Sequence, residues 1–146
     1  MSFEFTPEEI SGMTDAQKDA LVECLIAGLC ADADLKQHEI DRLDEEIHPL
    51  PWGRSQDEMQ KLIRACYDRI RAFTTPEQAV AMVKSIAATL TDQGIREKTF
   101  AMLARVLYDG AEMTPNEQMV LKAFFLAFEI PLPRLKEIGE AVKRGH

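Results

Sequence analysis

Six acidic residues stand in two short stretches, Asp32, Asp34 and Glu39 in the first and Asp109, Glu112 and Glu117 in the second. Oxygen-rich groupings of this kind suit hard divalent cations such as Ca²⁺ or Mg²⁺, which take carboxylate and carbonyl ligands. These six are the candidate metal ligands. A competing reading needs no metal: a glutamate three residues after a helix start completes a capping box, and acidic side chains there complement the positive end of the helix dipole. Neither stretch has the twelve-residue spacing of an EF-hand.

Other chemistry finds less support. Glu45 and His48 form one Glu-x-x-His pair, whereas a di-iron bundle needs two such pairs and two further glutamates. They read as a solvated helix end. No GxSxG, HExxH or GxxxxGK[ST] string occurs, so neither a nucleophile elbow, a zinc protease helix nor a phosphate loop is encoded. Cys66 has basic neighbours, but it and Cys24 fall among apolar residues at helical spacing, where a free thiol packs as a small hydrophobe. With Cys30 they make an odd set without CxxC spacing, expected to stay reduced. The chain is therefore expected to be no enzyme, with no catalytic residues; a hydrolase or transferase is the distant third choice. Phe100, Phe124, Phe125 and Phe128, with Met102 and Met119, read first as core and second as a groove for a partner helix. Met119 and Phe124 do not share one helix face with Leu121, so one of them is expected to be exposed. Trp52, between Pro51 and Gly53 and close to Pro49, is the candidate exposed aromatic anchor.

The elements that position these residues are all helical. Thr14 to Gln17 is a capping box, and Val22, Leu25, Ile26 and Leu29 form the stripe that follows it. After the first acidic stretch a second helix carries Ile40, Leu43 and Ile47 inward and ends near Pro49. Ser55 to Glu58 opens a helix with Met59, Leu62, Ile63, Cys66, Ile70 and Phe73 on its apolar face. Thr75, Pro76 and Gln78 open another with Val80, Val83, Ala87 and Leu90. Gly94 marks a break before a helix from about Ile95 to Tyr108. Thr114, Pro115 and Glu117 start the next, with Leu121, Phe124, Phe125 and Phe128 inward, and Pro131 and Pro133 stop it. A last helix buries Leu135, Ile138 and Val142 and ends in Lys143 and Arg144, favourable against the dipole. No β-alternation of useful length occurs. The fold class is all-α, a bundle of six or seven helices in one domain over residues 1–146, with its core over about 15–140.

The pattern repeats. At an offset of 78 residues, the separation of Glu39 from Glu117, Val22 meets Phe100, Leu25 meets Leu103, Leu29 meets Leu107, Leu43 meets Leu121 and Ile47 meets Phe125. Asp34 falls on Glu112, but Asp109 falls on Ala31, one place short of Asp32. Two helix hairpins packed pseudo-symmetrically about one core are expected.

Composition sets outer bounds. With 46% hydrophobic and 29% charged residues the chain is an ordinary globular sequence. A net charge of -8 disfavours nucleic acid and anionic membranes and favours cations or basic partners. No run approaches the roughly 20 apolar residues of a membrane-spanning helix, and Met1 to Glu9 lacks the basic start of a secretory signal, so no membrane insertion and a cytoplasmic location are expected.

At its two turns the chain resembles a family. The strings Leu29-Cys30-Ala31-Asp32-Ala33-Asp34 to Glu39, and Leu107-Tyr108-Asp109-Gly110 to Thr114-Pro115-Asn116-Glu117, resemble the repeated Ala-Asp-Gly…Glu signature of TerB-like tellurite-resistance domains. The same module occurs at the N-terminus of certain membrane-anchored DnaJ-type co-chaperones. The resemblance covers about residues 15–140, with Ala33 in place of the usual glycine. It implies a seven-helix fold with pseudo-twofold halves, a role in bacterial stress response, and metal binding through Asp32, Glu39, Asp109 and Glu117. An as yet unidentified protein partner, co-chaperone fashion, or self-association into a homo-oligomer is the expected company.

Overall fold

The computed structural model describes residues 3–32, 35–108 and 113–145. Among them are eight α-helices and no strand: α1 (Pro7–Ser11), α2 (Asp15–Leu29), α3 (Gln37–Ile47), α4 (Gln56–Arg71), α5 (Pro76–Thr89), α6 (Gln93–Leu107), α7 (Pro115–Ala127) and α8 (Leu132–Arg144). The all-α expectation holds, but the number exceeds the expected six or seven. The element missed is α1, too short to show apolar periodicity. Its signature is nonetheless the one that opens later helices: the Thr6 hydroxyl accepts from the Glu9 amide at 3.2 Å while Glu9 accepts from the Thr6 amide at 2.8 Å.

Reciprocal boxes of the same kind start α2 at Thr14 and Gln17, α4 at Ser55 and Glu58, and α7 at Thr114 and Glu117. Each satisfies amides that no helical carbonyl reaches. At the other end of α5, the Arg96 guanidinium donates to the carbonyl of Ala87 at 2.7 Å and also bonds that of Leu90, so a side chain of α6 closes its predecessor.

The core is organised about α2 and α6. Leu21, Val22, Cys24 and Leu25 are fully buried, as are Leu103 and Val106, and each buried leucine contributes about 1.5–3 kcal/mol. α2 packs against α4, α5, α6 and α7, whereas α6 packs against α2, α3, α7 and α8. A helix with neighbours on so many sides is apolar nearly all round, and α2 accordingly buries ten of its residues rather than one stripe. Gly28 permits the closest approach: a Cβ there would lie 2.4 Å from Leu103 Cδ1. The offset of 78 holds for element ends as well as for residues. α2 and α6 have the same length in the same register, and α3 and α7 begin at equivalent positions, Gln37 and Pro115.

Several expectations need correction. Ile40 and Val80 are exposed rather than inward, because the inner faces of α3 and α5 are narrower than their apolar periodicity implies. Gly94 lies inside the first turn of α6; the break comes before it, at the Asp92 cap, which accepts from the Ile95 amide at 3.0 Å. Pro133 stops nothing. It sits in the first turn of α8, where a missing amide costs little, and the reversal is made by Glu129 at φ 53°.

Trp52 is no exposed anchor. It is 4% exposed, its indole N–H donates to the Ile47 carbonyl at 2.8 Å, and its own carbonyl accepts from Lys18 Nζ at 2.7 Å. The prolines that free this loop from helix thus turn the ring inward, because a buried acceptor is available for its N–H. Among the described residues, no helix is long and apolar enough to cross a membrane.

Candidate functional site

Glu39 and Glu117 are the third residues of α3 and α7. Each spends one oxygen on its own helix start, Glu117 Oε1 accepting from the Thr114 amide at 2.9 Å and Glu39 Oε1 from the Lys36 amide at 3.4 Å. The capping role read from the sequence therefore accounts for one oxygen of each. It does not account for their burial. A capping glutamate is ordinarily solvated, yet these side chains belong to residues only 3% and 2% exposed.

The two starts meet because the hairpins interlock: besides its own hairpin partner, α3 packs on α6, and α7 packs on α2. The Glu39 and Glu117 carboxyls come within hydrogen-bonding reach of each other. Glu117 Oε2 is buried and has no donor among the described residues. Two acceptors that face each other need a proton or a cation between them. Lys36 supplies part of the compensation, with Nζ 3.7 Å from Glu117 Oε1, but that ammonium is also well exposed, and one positive charge serves two buried carboxyls. Burial first, and then the facing Glu117, push the Glu39 carboxyl up to about 8; the Lys36 amide and ammonium act in the opposite direction.

Asp32 reaches across to the start of α7. Its Oδ2 accepts from the Thr114 hydroxyl at 2.8 Å and its Oδ1 from the Asn116 side-chain amide at 3.1 Å, while the same Thr114 oxygen accepts from the Glu117 amide at 3.1 Å. Asp32 thus clamps the first turn to the start of α7 and holds Glu117 in place. Asp34, Asp109 and Glu112 lie outside the described residues. Lys36, Thr114 and Asn116 were not singled out as site residues; only the lone lysine between Asp34 and Glu39 offered a signal in the sequence.

The donor set fits a hard cation. It is all oxygen, and it includes a buried carboxylate oxygen, Glu117 Oε2, that no donor among the described residues satisfies. Among the described residues, no three His, Cys, Asp or Glu side chains converge as a metal-holding group. Two carboxylates with the remaining positions left to water match the habit of Mg²⁺ more closely than the six to eight oxygens Ca²⁺ collects.

The other candidates fall into place around this. Glu45 and His48 are exposed at the end of α3. Burial and the nearby Asp19 push the Cys66 thiol up to about 11, so it is protonated at neutral pH and no nucleophile. Cys24 is likewise buried, and its thiol is raised by burial. Phe124 and Phe128 are core, their rings 5.5 Å apart, and Met102 is core as well. Of the pair that could not share a face, Met119 is the exposed one.

No family model, curated protein or solved structure matches this chain.

Proposed function

We propose that this chain is a non-enzymatic, TerB-like stress-response domain whose two acidic turns together hold one divalent cation, Mg²⁺ or Ca²⁺, at Glu39 and Glu117. The observation that carries the reading is the meeting of two buried carboxyls from equivalent positions of the repeat, with Glu117 Oε2 lacking a donor among the described residues. The repeat then makes one shared site, with Asp32 as its clamp, in place of two separate ones. The matching register of α2 and α6 supports pseudo-symmetric halves of the kind the resemblance implies.

A cation that binds only the folded chain raises its stability by RT ln(1 + [L]/Kd), about 2.7 kcal/mol at a hundredfold excess over Kd. For a chain of this size that is a rise of roughly 5–11 °C in Tm. A thermal-shift titration with Mg²⁺, Ca²⁺ and Zn²⁺ tests it. No shift at millimolar metal rejects the proposal, and a shift that survives Glu39→Gln with Glu117→Gln places the cation elsewhere.

A second reading is favoured by a separate surface. A groove of ≈ 710 Å³ runs between α5 and α7, floored by Ala27 and Phe124 and edged by the exposed Val80, Met119 and Leu126. Contiguous exposed apolar surface of this kind marks protein interaction sites. In this reading the domain is a co-chaperone-type adaptor or self-associates, and the acidic turns only cap helices. Met119→Lys with Leu126→Lys then abolishes association measured by light scattering or partner capture while leaving Tm within about 4 °C, since each exposed substitution changes stability by only about 0.5 kcal/mol.

A further inference from the structure

A second cavity, ≈ 430 Å³, lies between α6, α7 and α8, and neither Glu39 nor Glu117 lines it. Its walls are Phe100 and Ala104 from α6, Leu121 and Phe125 from α7, and Leu135 and Ile138 from α8. The expected inward positions Leu121, Phe125 and Leu135 are only half-buried because they face this space. Small-molecule sites have this volume and this character, mostly apolar with a few placed polar groups.

Two further features set the cavity apart from a packing gap. The first is Gly139, inside α8, where an added Cβ would meet nothing within 4 Å. Glycine is among the poorest helix formers, and no close contact requires it here. Its effect is to leave bare helix backbone as one wall of the cavity. The second is charge. In a chain of net charge -8, no Asp or Glu among the described residues lines the cavity, while Lys122 and Lys143 do. Both lysines are exposed, and neither forms an ion pair among the described residues, whereas Arg42, Arg54, Arg105 and Arg134 all do. Lys143 also complements the α8 dipole, but Lys122, in the middle of α7, has no such role.

We propose that this cavity binds a small amphiphilic anion, by class a medium-chain fatty carboxylate. Its chain lies against Phe100, Phe125 and Ile138, and its carboxylate is held by Lys122 and Lys143. The apolar walls select the chain and the paired lysines select the anion over a neutral analogue.

The test uses the full chain, with decanoate and decanol as probes below their aggregation limits, read by calorimetry and by chemical shifts of the cavity methyl groups. Decanoate binds, and decanol binds at least about fivefold more weakly, the expected value of two exposed lysine–carboxylate contacts. Lys122→Gln with Lys143→Gln removes that preference and leaves decanol binding unchanged. Gly139→Leu fills the cavity and weakens both ligands tenfold or more, with an unchanged helical circular dichroism spectrum and no loss of Tm to show that the fold is intact. The inference is overturned by absence of decanoate binding, by equal affinity for decanoate and decanol, or by a Gly139→Leu variant that binds as well as the native chain. It is also overturned if the lysine substitutions abolish sedimentation with anionic vesicles while decanoate keeps its native affinity, which would make the lysines a membrane contact.

Discussion

Replacing Glu39 with glutamine should stabilise the metal-free protein, and more so as the pH rises. Glutamine serves a capping box as well as glutamate does, so the bond from the Lys36 amide to the side-chain oxygen is kept. What is removed is a buried carboxyl that faces another. In the folded chain this group is raised from an ordinary 4.5 to about 8, so between those values the native state holds a proton that the unfolded state has released. Stability is therefore lost as pH rises through this window, in full above pH 8 and not at all below 4.5. At pH 7 the penalty is about 3 kcal/mol, from 1.36 kcal/mol for each pH unit above the unfolded value, and by pH 5 it has shrunk below about 1 kcal/mol. Glu39→Gln recovers up to this amount, roughly 6–12 °C in Tm at pH 7, and its new amide has Glu117 Oε2 as an acceptor within the site. Thermal unfolding followed by circular dichroism in EDTA, from pH 5 to pH 8, measures both the gain and its pH dependence. A variant less stable than the native chain at pH 7, or a gain that does not grow with pH, would refute the reasoning.

Three further substitutions probe the Asp32 clamp and the packing of the core. Asp32→Ala breaks the bonds to Thr114 and Asn116 and should cost about 1–3 kcal/mol in denaturant melts, with a weaker cation response because Glu117 loses its clamp. Gly28→Ala puts a methyl group 2.4 Å from Leu103 Cδ1 and should cost about 1–3 kcal/mol; in a double-mutant cycle with Leu103→Ala most of that cost disappears. Trp52→Ala should cost about 3–5 kcal/mol, as removal of a core aromatic does, whereas an exposed anchor would leave the urea midpoint unchanged.

Helix starts were the most legible feature of this chain, because a hydroxyl followed three residues later by Glu or Gln satisfies amides locally and owes nothing to the rest of the fold. Thr14, Ser55, Thr75 and Thr114 all open helices where that rule places them. Thr6 obeys the same rule, but the five residues of α1 are too few to carry an apolar stripe. The repeat was legible for a related reason, since α2 and α6 have the same length and their apolar positions coincide at the offset of 78. Inward faces were less so. Periodicity identifies the apolar side of α5, but how far the neighbouring helices extend over it decides that Val80 stays exposed. Trp52 was misread because its fate turned on the Ile47 carbonyl and Lys18, partners that only folding brings within reach. In the site, Glu39 and Glu117 could be picked out as acidic residues at helix starts, but nothing in one dimension says that they meet, that water is excluded from them, or that Asp32 reaches across to Thr114. Those are consequences of α3 on α6 and α7 on α2.

The central claim, one cation between two facing glutamates, is tested most directly by calorimetric titration of the intact chain with Mg²⁺ and Ca²⁺ at pH 6 and pH 8, in buffers of different ionisation enthalpy. Because the cation must displace a proton held by the pair, affinity should rise steeply, by up to about tenfold per pH unit, toward pH 8. The buffer dependence should report close to one proton released at pH 6, and both effects should vanish in Glu39→Gln with Glu117→Gln. Binding that is absent at millimolar metal, independent of pH, or retained by the double variant would contradict it.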